Sequence, residues 1–288
     1  MRQFFIVSFI LISSSVFAQP YTSELENWYL QREQYLKSDT GWLNLIGLHW
    51  LKEGRSSFGS SKDNDISFDT EKIAPQAGYF IRHGKKVYLQ VFKPVIINGN
   101  PTTSALVYDQ DSTKNPMVEL GDLRWKIIKR DDKLGIRLRD LQSPAVQAFK
   151  GIEHYPVDTN LIVKARFEPH TTPTSVPITN ILGQTYRQFS PGFVNFTLAG
   201  KNYSFITLDE YGKLLIVFGD STNEIETYAA GRFILADQPV GPGTTIIDFN
   251  KAYNPPCAFT TFATCPLPPK QNILRIPLRA GEKKYIMH

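Results

Sequence analysis

The chain has 288 residues, of which 42% are hydrophobic and 20% are charged, and its formal net charge is +5. This composition excludes an intrinsically disordered chain and is sufficient for one large hydrophobic core or two smaller ones. The short basic runs are isolated among apolar and acidic residues, which excludes the continuous basic stripe that nucleic-acid binding requires.

The N-terminus has the pattern of a cleavable signal peptide. Arg2 precedes an apolar run at 4–12, and small residues follow up to Ala18, after which a signal peptidase would cut. The apolar run is too short to cross a bilayer, and Gln19, the next residue, cannot be lipidated as a cysteine can. We therefore predict a signal peptide at 1–18 and a periplasmic or secreted, soluble protein without a membrane anchor.

A single amphipathic helix is predicted next, within an N-terminal segment at 19–40. Ser23 and Glu26 have the spacing of a capping box, in which the two side chains satisfy free amides at a helix start. Apolar and aromatic residues then recur at helical spacing, which predicts a helix at 24–37. We expect this helix to dock on the rest of the protein by its aromatic edge.

Short alternating runs that end at Gly, Pro, Asn or Asp follow from residue 41 onward, and such runs are typical of β-strands. They predict a mainly β protein with an antiparallel sandwich or barrel-type core. We place a first β region at 41–142 and a second at 143–288, and expect a loop at 170–177 to separate strands. The candidate strands are 43–46, 48–51, 56–58, 79–82, 86–92, 95–97, 124–129, 134–138, 160–167, 192–198, 201–208, 213–218, 227–235 and 244–249.

The C-terminal part contains a proline-rich loop. Five prolines lie within 254–269, which excludes a regular helix or a central strand there. Cys257 and Cys265 are the two cysteines of the chain, and export to an oxidising compartment favours a disulfide between them. Two buried free thiols are the alternative, and a catalytic cysteine is a third.

A set of polar side chains lies where a predicted strand meets this loop, and these side chains are expected to converge on a small polar molecule. The set is Arg232, Asp248, Asn250, Tyr253 and Asn254. Arg137 and Arg139 join it, because strand alternation places both guanidinium groups on one face. The alternative is that these side chains bond the backbone of an irregular loop, whose buried donors and acceptors need partners.

Two functions of different classes follow from these residues. The leading hypothesis is an exported binding or structural module with a polar ligand site near Arg232 and 248–254. The competing hypothesis is a hydrolase in which Asp220 or Asp248 acts as general acid or base. A surface that recruits an envelope protein is a third hypothesis. Histidines occur singly and no Cys-x-x-Cys is present, so the sequence predicts no cofactor and no His/Cys metal site.

Two long motifs carry a resemblance to a known family. They are Gly41-Trp42-Leu43-Asn44-Leu45-Ile46-Gly47-Leu48-His49-Trp50-Leu51 and Asp248-Phe249-Asn250-Lys251-Ala252-Tyr253-Asn254-Pro255-Pro256-Cys257-Ala258-Phe259. Over 24–284 the chain resembles the bacterial family catalogued as domain of unknown function 1684, whose name implies no activity. The chain departs from the family pattern at Glu224, where that pattern has Gly, and this puts the conformation of the turn after Asp220 in question.

The first β region is also similar to a forkhead-associated sandwich. The similar motifs are Phe58-Gly59-Ser60, Asn64-Asp65-Ile66 and Asn98-Gly99. Phosphothreonine recognition in that fold uses an Arg and a Ser/His pair. The loop at 73–78 contains neither Ser nor His. We therefore expect a similar fold without phosphopeptide binding.

Overall fold

The computed structural model describes residues 18–130 and 132–285. The predicted signal peptide lies outside the described residues, apart from its last residue, Ala18. Within the described ranges no helix has both the length and the apolar composition of a membrane span.

The predicted N-terminal helix is confirmed as α1, Ala18–Lys37, followed much later by the short helix α2, Pro144–Ala148. The helix begins earlier than the predicted start at 24 because tertiary contacts extend it. Tyr21 already belongs to the helix, and its hydroxyl donates to both carboxylate oxygens of Asp248 at 2.9 Å. Leu25 and Leu36 lie on the buried face of α1. The helix is therefore attached to the body along its whole length.

The first β region is one strongly curved sheet of described strands, antiparallel except for the β2–β3 pair. The strand order is β1-β9-β8-β7-β5-β4-β2-β3, and β6 pairs with β5. Alternation along β9 sends Ile136 and Leu138 into the core and Arg137 to the opposite face. The strands are β1 Leu45–Trp50, β2 Gly54–Gly59, β3 Ile66–Ser67, β4 Gly78–His83, β5 Lys86–Ile97, β6 Asn100–Asp109, β7 Val118–Leu120, β8 Leu123–Arg130 and β9 Lys133–Asp140.

The second β region contains two further antiparallel sheets of described strands. One has the order β12-β11-β10-β16 and the other the order β13-β14-β15. The strands are β10 Ile162–Thr179, β11 Thr185–Leu198, β12 Lys201–Ile206, β13 Leu208–Glu210, β14 Lys213–Phe218, β15 Arg232–Asp237 and β16 Gly243–Asp248. The predicted mainly β architecture with a barrel-type core is thus confirmed.

The predicted loop at 170–177 is wrong, because β10 runs through it and pairs with β11 as far as Thr179. Three prolines lie in this half of β10, at 169, 173 and 177. They are tolerated because β16 pairs only with 162–167, which leaves the other edge of β10 without a strand partner. A register shift between Pro169 and Thr174 absorbs the irregularity.

Each β region has its own hydrophobic core. Phe58 and Trp125 are buried in the first core, and Phe167 and Phe218 are buried in the second. A smaller cluster around Leu36 joins α1 to both regions. The domain boundary predicted near residue 143 stays a prediction. Burial of these aromatic side chains, each removing on the order of 150–250 Å² from water, stabilises the two cores.

Candidate functional site

A cavity of about 750 Å³ lies between the two β regions. The first sheet, helix α1, strands of the second region and the proline-rich loop each contribute a wall. Its volume falls in the range of sites that enclose a small organic ligand. Lining residues from these four parts include Trp50, Trp28, Phe233 and Cys265.

Several aromatic rings form part of the lining. Trp28, Trp42 and Trp50 line the cavity, and they are three of the four tryptophans of the chain. The fourth, Trp125, is fully buried in the first core. Trp50 remains 40% exposed, although a residue of this size normally packs when nothing else requires its surface. Flat, accessible indole rings are suited to stack on a ring of a ligand.

The charged residues of the cavity are mostly cationic. Arg32, Lys129, Arg130 and Arg137 line it together with one carboxylate, Glu210. Burial and the neighbouring charge of Asp209 raise the pKa of Glu210, while the charge of Arg130 opposes this shift. The cavity therefore has an excess of positive charge.

One of these cations is already paired. Arg32 of α1 forms an ion pair with Glu282, with 3.1 Å between Nε and Oε1, and donates to the backbone oxygen of Asn254 at 2.8 Å. Its guanidinium carbon lies 4.7 Å from the centre of the Tyr253 ring. Arg32 thus fixes α1 to the C-terminal segment and orients Tyr253 in the wall.

Arg137 has no such partner. Its guanidinium carbon lies 5.2 Å from the centre of the Trp42 ring, and its buried Nε makes no hydrogen bond within the described residues. Burial, with the charges of Arg130 and Arg139, lowers the pKa of Arg137 to about 10. Arg139 also lies over Trp42, at 5.7 Å, but donates to Gly41 and to Asn44 Oδ1 at 2.7 Å. Of the two arginines, Arg139 holds the backbone and Arg137 faces the cavity.

Tyr253 is the other residue of the predicted polar set that lines the cavity. Its ring also contacts Phe233, with 5.9 Å between centroids. No hydrogen bond from its hydroxyl is found within the described ranges, and burial raises its pKa. The hydroxyl is therefore a neutral donor that can meet a ligand.

Arg232 and Asp220 lie elsewhere, inside the second region, and neither side chain has any exposed area. Arg232 Nη2 donates to Asp220 Oδ2 at 2.9 Å and to the backbone oxygen of Leu278 at 2.8 Å. Asp220 Oδ1 accepts from the backbone and hydroxyl of Thr222 at 2.8 and 2.6 Å. This network ties the C-terminal segment to β15.

Two residues near this pair have left-handed backbone conformations. Gly231 has φ +85°, and a Cβ there would lie 2.4 Å from the backbone oxygen of Phe218. Glu224, in the turn after Asp220, has φ +70°. That turn therefore keeps a left-handed residue at this position, although the side chain is not the glycine of the family pattern.

Asp248 and Asn250 attach α1 to the second region. Besides the contacts with Tyr21, Asp248 Oδ1 accepts from the backbone of Asn250 at 3.1 Å. Asn250 exchanges two hydrogen bonds with the backbone of Asp158, at 3.0 and 2.9 Å, and its own backbone oxygen accepts from Tyr29 at 2.8 Å. These residues position the helix that forms one wall of the cavity.

Asn254 belongs to the same framework. Its backbone amide donates to Glu282 Oε2 at 2.6 Å, and its Nδ2 donates to the backbone oxygen of Lys283 at 2.8 Å. Glu282 is fully buried, which raises its pKa, whereas the charge of Arg32 opposes that shift. Asn254 and Arg32 both bind the Glu282 carboxylate, and these contacts fix the C-terminal segment against α1.

The predicted disulfide between Cys257 and Cys265 is present, with 6.0 Å between the two Cα atoms. Cys265 lines the cavity together with Pro256, Ala263 and Thr264. Within the loop, Thr260 Oγ1 donates to the backbone oxygen of Leu45 in the first sheet at 3.0 Å. The disulfide thus closes a loop that forms a wall and reaches both β regions.

Several cavity residues were not predicted as site residues, although two of them, Trp42 and Trp50, lie in the family motif at 41–51. Trp42, Trp50 and Glu210 lie on separate elements, and nothing in their spacing indicates that the elements meet. The aromatic edge of α1 was the available signal, since Trp28 lies in the cavity and Tyr29 stacks on His154 at 3.6 Å between ring centroids. No cluster of three or more His, Cys, Asp or Glu side chains suited to a metal ion occurs within the described ranges.

His154 gives the docking of α1 a pH dependence. Burial against Tyr29 lowers the pKa of His154 to about 4, whereas an unfolded chain titrates near 6.5. The unfolded state therefore binds a proton first, and stability that is fully present above about pH 6.5 is lost as the pH falls toward 4. We expect a loss on the order of 1 kcal/mol from this group between pH 7 and pH 4.5, because solvent screens the part-buried ring.

Urea unfolding of the wild type and of His154→Phe at both pH values measures this effect, since phenylalanine keeps a ring but does not titrate. The variant should lose less stability on acidification by about that amount. His83→Phe, at an exposed position, serves as the control. Equal acid sensitivity of His154→Phe and the wild type would contradict the assignment.

One comparison with known proteins agrees with the family resemblance. The family model described as "Protein of unknown function (DUF1684)" matches residues 147–283. No curated protein matches the chain. Among solved structures, the chain is similar to the solution NMR structure of an uncharacterized protein from Haloarcula marismortui, with 28% sequence identity, coverage of 51% of this chain and 83% of that chain, and a TM-score of 0.43.

The forkhead-associated likeness of the first β region and the bacterial origin stay predictions. The family match includes the second β region and the disulfide loop, and hence the cavity walls formed by Phe233, Tyr253 and Cys265. Residues 147–283, a little less than half of the chain, are therefore similar to the DUF1684 family of proteins of unknown function.

Proposed function

We propose that this protein is an exported binding protein that holds a small organic molecule in the cavity between its two β regions. The observation that carries the proposal is the cavity itself, in which three tryptophans and an unpaired Arg137 face about 750 Å³ of space. A chain without a ligand gains nothing from leaving the part-buried Arg137 without a hydrogen-bond partner, since burial of an unpaired charge costs free energy.

Within the predicted ligand-binding set, we assign ligand contact to Arg137 and Tyr253. Arg139, Arg232, Asp248, Asn250 and Asn254 then act as a framework that fixes the backbone, α1 and the C-terminal segment. Their hydrogen bonds to protein groups support this assignment, because a donor that already has a protein partner offers little to a ligand.

Binding is favoured over the hydrolase hypothesis by the surroundings of the two aspartates. Asp220 is fully buried and its oxygens accept from Thr222 and Arg232. Asp248 accepts from Tyr21 and Asn250 at the docking site of α1. Neither carboxylate lines the cavity, so neither is within reach of a molecule bound there.

A neutral aromatic probe tests the proposal. We expect naphthalene-2-sulfonamide to quench the tryptophan fluorescence on binding, because three of the four tryptophans line the cavity. Thr264→Phe, which adds a ring to the cavity wall, should weaken this binding by at least about tenfold. Thr261 is exposed in the same loop and does not line the cavity, so Thr261→Phe should change the affinity less than about twofold.

The proposal fails if neither this probe nor its anionic counterpart, naphthalene-2-sulfonate, binds, or if Thr264→Phe and Thr261→Phe bind the neutral probe equally well while both remain folded by circular dichroism. In that case the fluorescence change would arise from the protein surface and not from the cavity.

A further inference from the structure

Arg137 differs from three other arginines of the protein in its hydrogen bonds. Arg32, Arg139 and Arg232 each donate to protein oxygens. Arg137 donates no hydrogen bond and forms no ion pair within the part of the chain that the structure describes, although its Nε is buried. A part-buried guanidinium without a hydrogen-bond partner is unusual, since buried charges are normally paired in stable proteins.

The contact that Arg137 makes leaves its N–H donors available. The guanidinium lies over the Trp42 ring, with 5.2 Å from its carbon to the ring centre. A contact of this kind with an aromatic ring supplies no oxygen acceptor, so it leaves the N–H groups of the guanidinium without a conventional hydrogen bond. Those donors have the geometry that carboxylate and phosphate oxygens accept in pairs.

Other charges reinforce this site. Arg130 and Lys129, at the end of β8, line the same cavity and are exposed. Both add positive potential to the cavity, which attracts an anion. Glu210 is the carboxylate of the cavity, and it disfavours a molecule that carries many negative charges. The charge pattern therefore fits one anionic group and not a polyanion.

We infer that the ligand is a small organic anion with a flat ring, whose anionic group pairs with Arg137 and whose ring stacks among Trp28, Trp42 and Trp50. This inference rests on the proposed binding function and adds the chemical class of the ligand. A carboxylate, a sulfonate and a phosphate share the chemistry that Arg137 recognises. Tyr253 supplies a neutral hydroxyl for a second polar group of the same molecule.

Two probes that differ in charge test the class of ligand. Naphthalene-2-sulfonate carries the anion, and naphthalene-2-sulfonamide is its neutral counterpart. Isothermal titration should give a tighter affinity for the sulfonate, and Arg137→Met should weaken sulfonate binding by about tenfold or more while changing sulfonamide binding less than about twofold. Arg275→Met, which removes an exposed arginine outside the cavity, should change neither affinity.

The stability of Arg137→Met provides a second readout. Removal of an unpaired buried cation should leave the unfolding midpoint unchanged or raise it, whereas an arginine that merely supports the fold would lower it. The effect of added NaCl on binding to the wild type provides a third readout. Salt should weaken sulfonate binding and leave sulfonamide binding unchanged.

The outcomes separate the two proposals. If neither probe binds, the proposed function itself fails. If both probes bind equally, and neither salt nor Arg137→Met distinguishes them, the cavity binds organic molecules but the anionic class is wrong. Preferential, salt-sensitive sulfonate binding that is lost in Arg137→Met supports the inference, and inorganic phosphate and acetate as competitors then distinguish which anionic group is preferred.

Discussion

Replacement of Asp220 by alanine is expected to lower the free energy of unfolding by about 3–5 kcal/mol, because Arg232 then remains buried without its counter-ion. Neither side chain of this pair has exposed area, and they are joined at 2.9 Å. Asp220 also accepts from the backbone amide of Leu278 at 3.2 Å, so the same change releases the C-terminal segment. We therefore expect the largest single loss of stability at this position.

A matched control is an exposed pair of the same type. Asp237 pairs with Lys213 at 3.0 Å, and its side chain is 90% exposed. Asp237→Ala should cost less than about 1 kcal/mol. The double variant Asp220→Ala, Arg232→Met should recover part of the loss, because it removes the uncompensated charge. Urea unfolding gives all three values, and equal losses at Asp220 and Asp237 would contradict the framework role.

Removal of the disulfide is expected to cost about 2.5 kcal/mol, the chain-entropy value for a closed loop of about nine residues. The change Cys257→Ser, Cys265→Ser also frees the loop whose Thr260 bonds the first sheet. Since Cys265 lines the cavity, the serine variant should bind naphthalene-2-sulfonamide more weakly than the oxidised wild type does.

Urea unfolding with and without dithiothreitol measures this contribution. Reductant should destabilise the wild type and leave the double serine variant unaffected. Mass spectrometry of the exported protein should show a chain that begins at Gln19 and has Cys257 bonded to Cys265. A serine variant as stable as the oxidised wild type would contradict a structural role for the bond, and a chain that retains 1–18 would contradict export.

Much of the fold could be predicted because alternation and helical spacing are local signals. The helix at 24–37 and the mainly β body needed no tertiary information. The error at 170–177 arose because prolines usually end strands, whereas here they lie on the part of β10 that β16 does not reach. Whether the edge of a strand is free depends on the sheet that forms around it, and a single stretch of sequence does not contain that information.

The candidate site shows a similar limit. Alternation correctly placed Arg137 and Arg139 on one face, over Trp42. Which of the two arginines can bind a ligand depends on Gly41 and Asn44, because both accept hydrogen bonds from Arg139 and neither accepts one from Arg137. The polar set near Asp248 was recognisable as unusual, but its role depends on partners such as Tyr21, which lies 227 residues away in sequence.

A crystal structure of the protein with naphthalene-2-sulfonate tests the central claim most directly. The account predicts the sulfonate within hydrogen-bonding distance of Arg137 and the naphthalene ring stacked against at least one of Trp28, Trp42 and Trp50. A probe bound at the surface, with the cavity filled only by water, would contradict it.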